Sequence, residues 1–287
     1  MTLDIGEAFQ EGLSRLSGRP GLLLAAAFVV VALASAVVSQ TLQVAGFEAM
    51  LETFRSASPD QLGVSRAEYD RQLAALNEQV QITRGNSPLA LEVPLSVAAA
   101  GFLAVAVVAE AVSIAAVRAF AAPDGDAVDL ETVVDGLGMA TLRGFVGGVV
   151  VWGLIIAGSV FLLVPGLFAA VVFYFFRQEV ALEDRTVIDA MAASWRLTRG
   201  ERLNVFALGL LVVVVSQFDV VVSLLVGEVS VLAGTIIAAV LTGVLSAFGA
   251  AVVTRAYLQL TGSEAADEPA EPADPYDAAL GPDDIPE

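Results

Sequence analysis

Five stretches of the chain, 20–47, 93–109, 144–176, 203–218 and 229–254, carry no charged residue and are apolar nearly throughout. A helix packed on a soluble core keeps a polar face, whereas about 20 consecutive apolar residues are what a bilayer's hydrocarbon core requires. The pattern therefore predicts membrane spans. Residues 21–46 form the first and 95–118 the second, interrupted by Glu110. The run from Gly144 to Phe176 would extend about 50 Å as one helix, too long for one ordinary crossing. Pro165-Gly166 inside it points to a hairpin, because Pro lacks a backbone donor and Gly relaxes the turn. Spans at 144–163 and 166–182 result; the competing reading is a single kinked and tilted helix. Residues 203–226 and 230–256 complete six, so the predicted fold is all-α, a polytopic membrane helix bundle.

Arginine placement supports that count. With the N-terminus inside, Arg15, Arg19, Arg118, Arg143, Arg177, Arg185, Arg196, Arg199, Arg202 and Arg255 lie in inner segments, and the other four of the 14 lie in the long outer loop 47–93. This obeys the positive-inside rule, which weighs short flanks and discounts long loops. A single span over 144–176 would throw the Arg-rich stretch 177–202 outside. The expectation is a multi-pass protein of the cell membrane with both termini cytoplasmic. Ala34-Ser35-Ala36 resembles a signal-peptide cleavage site, but Asp4, Glu7 and Glu11 in the leader and the continuing apolar run argue for an uncleaved first span.

Between the spans, residues 4–17 place Ile5, Phe9, Leu13 and Leu16 at helical spacing, which describes an inner amphipathic helix. Segments 128–140 and 184–200 precede the third and fifth spans in the same way. Aligned without gaps, they match Glu7 with Glu131 and Asp189, and Gly12 with Gly136 and Ser194. This suggests a threefold parallel repeat of an amphipathic helix followed by two spans. In the outer loop, Ser65 and Glu68 form a capping box before Tyr69, Leu73, Leu76 and Val80, predicting a helix over 65–80 that ends near Gly85-Asn86. The loop is either a lid on the bundle or a docking surface. The membrane domain covers 1–262; residues 263–287, acidic and Pro-rich without Arg, form a disordered tail.

Composition narrows the chemistry. The chain has no His and no Cys, which removes the commonest metal ligand, the thiol nucleophile and the imidazole base. No enzyme activity, cofactor or metal is expected. Acids number 32 against 14 basic residues, all Arg. Such an acidic surface disfavours nucleic acid and reads as adaptation to high salt or as an acidic tail on the protein of a high-GC genome. Within the spans Glu110 and Asp219 are the acids singled out as candidates. Each is either an ion-coupling site or a hydrogen-bonding contact to a neighbouring helix. Arg177, Arg185, Arg196, Arg199 and Arg202 form one basic cluster, assigned to anionic lipid headgroups. Small residues predict close helix packing: Gly144 with Gly148, the ridge Gly234, Ala238, Thr242, Ser246, Ala250, and a second ridge Ala239, Gly243, Ala247. They serve packing within the chain or a homodimer face.

Val164-Pro165-Gly166, followed by Glu179, Glu183-Asp184, Ala190, Ser194-Trp195, Leu197-Thr198 and Gly200, together with Asp4-Ile5-Gly6-Glu7-Ala8, resembles a haloarchaeal family of uncharacterised integral membrane proteins. That family is similar to the membrane domain of some bacterial glycerophosphodiester phosphodiesterases. The resemblance implies a six-span domain and a salt-loving archaeal source, and no activity, since the catalytic domain of those enzymes depends on His. Two functional readings stand. One is a non-enzymatic interaction or organising protein that contacts membrane lipids and a membrane-protein partner; the other is a transporter or channel subunit using Glu110. A polar central cavity reaching Glu110 would favour transport, and a filled core would favour the organising role.

Overall fold

A computed structural model describes residues 3–122, 130–227 and 230–267, and the description here concerns those residues. It is built from helices: α1 (Ile5–Ser17), α2 (Arg19–Ser56), α3 (Pro59–Leu62), α4 (Arg66–Gly85), α5 (Leu95–Ala121), α6 (Leu130–Val134), α7 (Leu137–Phe161), α8 (Leu163–Val172), α9 (Phe176–Glu183), α10 (Val187–Leu197), α11 (Arg202–Ser216), α12 (Phe218–Gly227) and α13 (Val231–Asp267). Six segments are long and apolar enough to cross a membrane: α2, α5, α7, α8 with α9, Arg202–Val222, and Val231–Gly262. Large apolar side chains such as Leu23, Val160, Phe161 and Leu203 lie on the outside of the bundle, an arrangement suited to lipid rather than water. Together these features suggest a multi-pass membrane protein.

Local chemistry explains the element boundaries. Asp4 caps α1 by accepting from the Glu7 amide at 2.9 Å, and Thr186 caps α10 by accepting from the Asp189 amide at 3.4 Å. The two helices thus start with the same cap-and-acid signature, at matched positions of the proposed repeat. The element order also repeats three times: α1 before α2 and α5, α6 before α7 and α8–α9, α10 before α11–α12 and α13. The predicted helix at 128–140 is not continuous, because Gly136 adopts a left-handed conformation (φ 59°) that separates α6 from α7. Residues 123–129 lie outside the described residues. So does most of the predicted tail: α13 continues to Asp267, past the boundary expected at 262, and residues 268–287 are not described.

The expected hairpin is present, but it turns earlier than Pro165-Gly166. Leu162, extended at φ −157°, is the one non-helical residue between α7 and α8. Pro165 instead occupies the first turn of α8, where a missing backbone donor costs no hydrogen bond. Gly166 serves close approach: a Cβ there would lie 2.7 Å from the Ile155 carbonyl oxygen, and one on Gly158 would lie 2.7 Å from the Gly166 nitrogen. Two of the other spans are broken, at Phe173–Phe175 between α8 and α9 and at Gln217 between α11 and α12.

Three buried apolar clusters hold the bundle, all toward the end that carries α1 and α10. One joins α1, α11 and α13 around Phe175, Leu208 and Tyr257; another joins α5, α7, α9 and α10 around Ile114 and Phe176; the third joins α2, α5 and α13 around Phe28, Phe120 and Ala247. Polar bonds lock the same end. Arg255 pairs with Glu11 at 2.6 Å, and Arg15 donates to the Ala122 carbonyl at 2.8 Å. Arg118 donates to the Ala181 and Val133 carbonyls, while Arg143 donates to the carbonyl of Asp184, whose φ of 50° turns the chain between α9 and α10. At the opposite end α2 runs on beyond the first predicted span and α4 folds back along it. Tyr69 stacks on Phe54 at 5.0 Å and Arg55 donates to Asn77 at 2.6 Å. The outer loop thus packs along the extension of α2.

Glycine substitutions separate close approach from open positions. Gly158→Ala should lower thermal stability by about 1–3 kcal/mol, the usual cost of overpacking, since its Cβ would meet the backbone of Gly166. Gly148→Ala has nothing within 4 Å and should be neutral or slightly stabilising. Thermal melts in one detergent measure both, and equal effects would contradict the hairpin packing.

Candidate functional site: a polar cavity beside an intramembrane ion pair

Glu110 lies in the interior of α5, where an unpaired carboxylate would be costly. The facing position on α7 is Gly144, and a Cβ there would lie 2.6 Å from Glu110 Oε1 and 3.0 Å from Ile114 Cδ1. The missing side chain is the room the carboxylate occupies. The partner expected one helix turn further on, Gly148, faces nothing within 4 Å. The second close-approach glycine is Gly147, against the ring of Phe176, which corrects the Gly144–Gly148 pairing.

Phe176 matters because it fixes the start of α9. At the break before it, Phe175 is fully buried among Leu208, Val205 and Tyr257, while Phe176 inserts against α7. The next residue, Arg177, is thereby aimed at α5. Its Nε donates to Glu110 Oε1 at 3.0 Å and its Nη2 to Glu110 Oε2 at 2.9 Å, a bidentate pair. The Glu110 side chain is 11% exposed and that of Arg177 47%. A guanidinium has five N–H groups, and the Nη1 edge finds no protein acceptor among the described residues.

Arg177 lines a cavity of about 1580 Å³. Its wall is mixed. Ser35, Ser39, Gln40 and Gln43 come from α2, Ser113 from α5, Ser216 and Gln217 from the α11–α12 break, and Thr235, Thr242 and Ser246 from α13. Tyr174, Arg177 and Gln178 line it from the α8–α9 break. Gln178 is 4% exposed, and its Oε1 has no hydrogen-bond partner. Thr83, Asn86 and Ser87, at the end of α4, border the mouth, and α4 is tied down there by Arg84 Nε donating to Glu48 Oε1 at 2.8 Å. The linker that follows is pinned to α2 by the Leu89 amide on Gln40 Oε1 at 2.9 Å and the Leu91 amide on Thr41 Oγ1 at 3.0 Å.

The small-residue ridges of α13 divide their roles. Gly243 takes the backbone of α2, where a Cβ would meet Val29 Cγ2 at 2.8 Å, and Ala247 is fully buried in the cluster with Phe28 and Phe120. The ridge Gly234, Ala238, Thr242, Ser246, Ala250 lines the cavity, and its Ala250 also packs, as expected, against the Phe28 cluster.

The basic cluster is also redistributed. Arg177 belongs to Glu110 rather than to a lipid headgroup. Arg185 Nε lies 2.9 Å from Oε2 of the buried Glu179, and the Arg202 guanidinium sits 5.0 Å over Phe168 and 5.3 Å from the Trp195 ring centroid, cation–π geometry. Arg196 and Arg199 are exposed. Asp219 lies on α12 two residues beyond Gln217, and its side chain falls outside the described residues. No group of acids able to hold a metal ion occurs among the described residues. Reading the sequence alone missed the Glu110–Arg177 pair and the Ser35–Ser39–Gln43 stripe. Four-residue spacing is the signal that would have found the stripe.

The chain belongs to the family described as a domain of unknown function (DUF7847), whose profile matches residues 3–260. Neither the curated proteins nor the solved structures gave a match.

A double-mutant cycle tests the pair. Glu110→Ala should cost about 2–4 kcal/mol by leaving Arg177 without its counter-charge. Adding Arg177→Ala should recover part of that, giving a coupling of about 1–3 kcal/mol. Additive losses in chemical or thermal unfolding would mean that the two side chains do not interact.

Proposed function

We propose that this is a non-enzymatic, multi-pass protein of the cell membrane that admits a solute to the cavity between α2, α5, α9 and α13 and acts in transport. The observation that carries this reading is the polar cavity with Arg177, held by Glu110, at its edge. Uncharged polar side chains inside a membrane bundle are costly unless they bond their own helix, as Ser39, Ser216 and Thr235 do, or meet water, a partner helix or a ligand. Here hydroxyls and amides from at least four spans converge on one open volume. A protein that only organises partners would need no such volume and would gain stability by filling it. Glu110 serves transport indirectly in this account: it faces Arg177, not the cavity, and positions the guanidinium.

The Arg-rich end, where α1, α10 and the buried clusters lie, is the cytoplasmic side in this proposal, following the positive-inside rule. The bundle is packed there and opens toward α4, so this conformation faces outward. A high-salt archaeal source would account for the Lys-free, acid-rich composition.

The naturally Cys-free chain makes the test direct. In right-side-out vesicles, a membrane-impermeant thiol reagent should label Ala75→Cys on α4 and Ser39→Cys and Ser246→Cys in the cavity, and should spare Arg199→Cys. Alternating access further predicts slower labelling of Ser246→Cys from the opposite side. Labelling at 199 but not at 75 would reverse the orientation. Refusal of 39 and 246 while 75 reacts would return the account to a closed, organising bundle.

A further inference from the structure

The walls of the cavity are sealed unequally, and the unequal seal bears on what enters. Between α2 and α13 the backbones touch at Gly243 and Val29; between α2 and α5, a Cβ on Gly101 would sit 3.7 Å from Val38. Among the described residues no glycine brings α5 and α12 together in this way. Phe102 on α5 and Val220 on α12 both line the cavity, and they are 41% and 47% exposed. Both are apolar, and both belong to segments long and apolar enough to cross a membrane, Leu95–Ala121 and Arg202–Val222. Exposed apolar residues at the cavity wall are what a sideways opening into hydrocarbon would present, in addition to the opening toward α4.

Volume and lining agree with a lateral entrance. Ligand pockets usually measure about 300–1,000 Å³, and this open one measures about 1580 Å³. Its wall carries an apolar strip, Phe28, Val31, Phe102 and Val212, beside the polar one. Beside these side chains Arg177 lines the wall, and the N–H groups it does not give to Glu110 are planar donors of the kind that suits the oxygens of a phosphate. Its charge is already balanced by Glu110, so a phosphate here is held by directed hydrogen bonds more than by net positive charge.

Resting on the cavity reading above, we propose that the occupant is an amphiphile with a phosphate-bearing head, a lipid of the surrounding bilayer that enters between α5 and α12. Its head is hydrogen-bonded by Arg177, with Tyr174 and Ser113 beside it on the wall. Its chains lie along the apolar strip and leave through the gap at Phe102 and Val220.

Binding of four probes to the purified full-length protein tests this, by native mass spectrometry and by saturable shifts in melting temperature. The expected result is that dioctanoyl phosphatidylglycerol binds at least tenfold more tightly than chain-matched dioctanoylglycerol, and that inorganic phosphate and glycerol phosphate give no shift. Arg177→Gln should lose that tenfold preference while still binding dioctanoylglycerol. If that variant does not fold, Val220→Trp, which narrows the lateral gap and leaves Arg177 intact, should slow uptake of the phosphatidylglycerol at least tenfold without altering thiol labelling of Ser246→Cys. Equal binding of both dioctanoyl probes would remove the phosphate site. A shift with inorganic or glycerol phosphate equal to that with the lipid would replace the amphiphile with a free oxyanion and leave the cavity reading standing. No binding by any probe, with Ser246→Cys still labelled from outside, would overturn the amphiphile alone.

Discussion

A carboxylate in the middle of an apolar span has to be neutralised, and the position of Glu110 on α5 constrains much of the bundle around it. Room for its oxygens comes from Gly144 on α7. Its counter-charge comes from Arg177, 67 residues along the chain and two spans later. To deliver that guanidinium, the fourth span breaks at Phe173–Phe175 and restarts with Phe176 seated on Gly147. The glycine pair on α7, the aromatic run and the helix break are therefore parts of one device. In a low-dielectric interior a bidentate carboxylate–guanidinium contact is strong, but only when both partners are held in register.

The same break opens the cavity. Tyr174, Arg177 and Gln178 flank it, while Phe175 and Phe176 anchor it in two separate apolar clusters. Packing is concentrated at the end bearing α1 and α10, where ion pairs and arginine–carbonyl bonds tie the loops together. Toward α4 the helices part, and hydroxyls and amides replace methyl groups on their facing sides. A bundle closed at one end and parted at the other holds a polar interior without losing its core.

Much of this architecture was legible in the sequence. Charge-free runs located the six helices that can cross a membrane, since hydropathy is a local property that tertiary context rarely overrides in lipid. The Ser65 cap placed α4, and Pro165-Gly166 marked the hairpin to within a few residues. What stayed hidden was relational. Arg177 looks like a residue snorkelling from a helix end until α5 is brought beside it. A four-residue repeat of small residues on α13 reads identically whether it packs, as Gly243 and Ala247 do, or lines an open space, as Thr242 and Ser246 do. Ser35, Ser39 and Gln43 escaped notice because uncharged polar residues barely dent a hydropathy average. The amphipathic segment at 128–140 failed for a local reason, the left-handed Gly136, which sequence spacing alone does not reveal.

The central claim is that Glu110 and Arg177 are in contact within the membrane, and a solid-state NMR measurement in lipid bilayers addresses it without altering the site. Dipolar recoupling between guanidinium nitrogens and glutamate carboxyl carbons, with the Glu110 signal assigned by difference against Glu110→Gln, reports that contact directly. The account predicts a coupling typical of hydrogen-bonded neighbours that disappears from the difference spectrum when Arg177 is replaced by Gln. A Glu110 signal with no guanidinium coupling, or a coupling that survives Arg177→Gln, would contradict it.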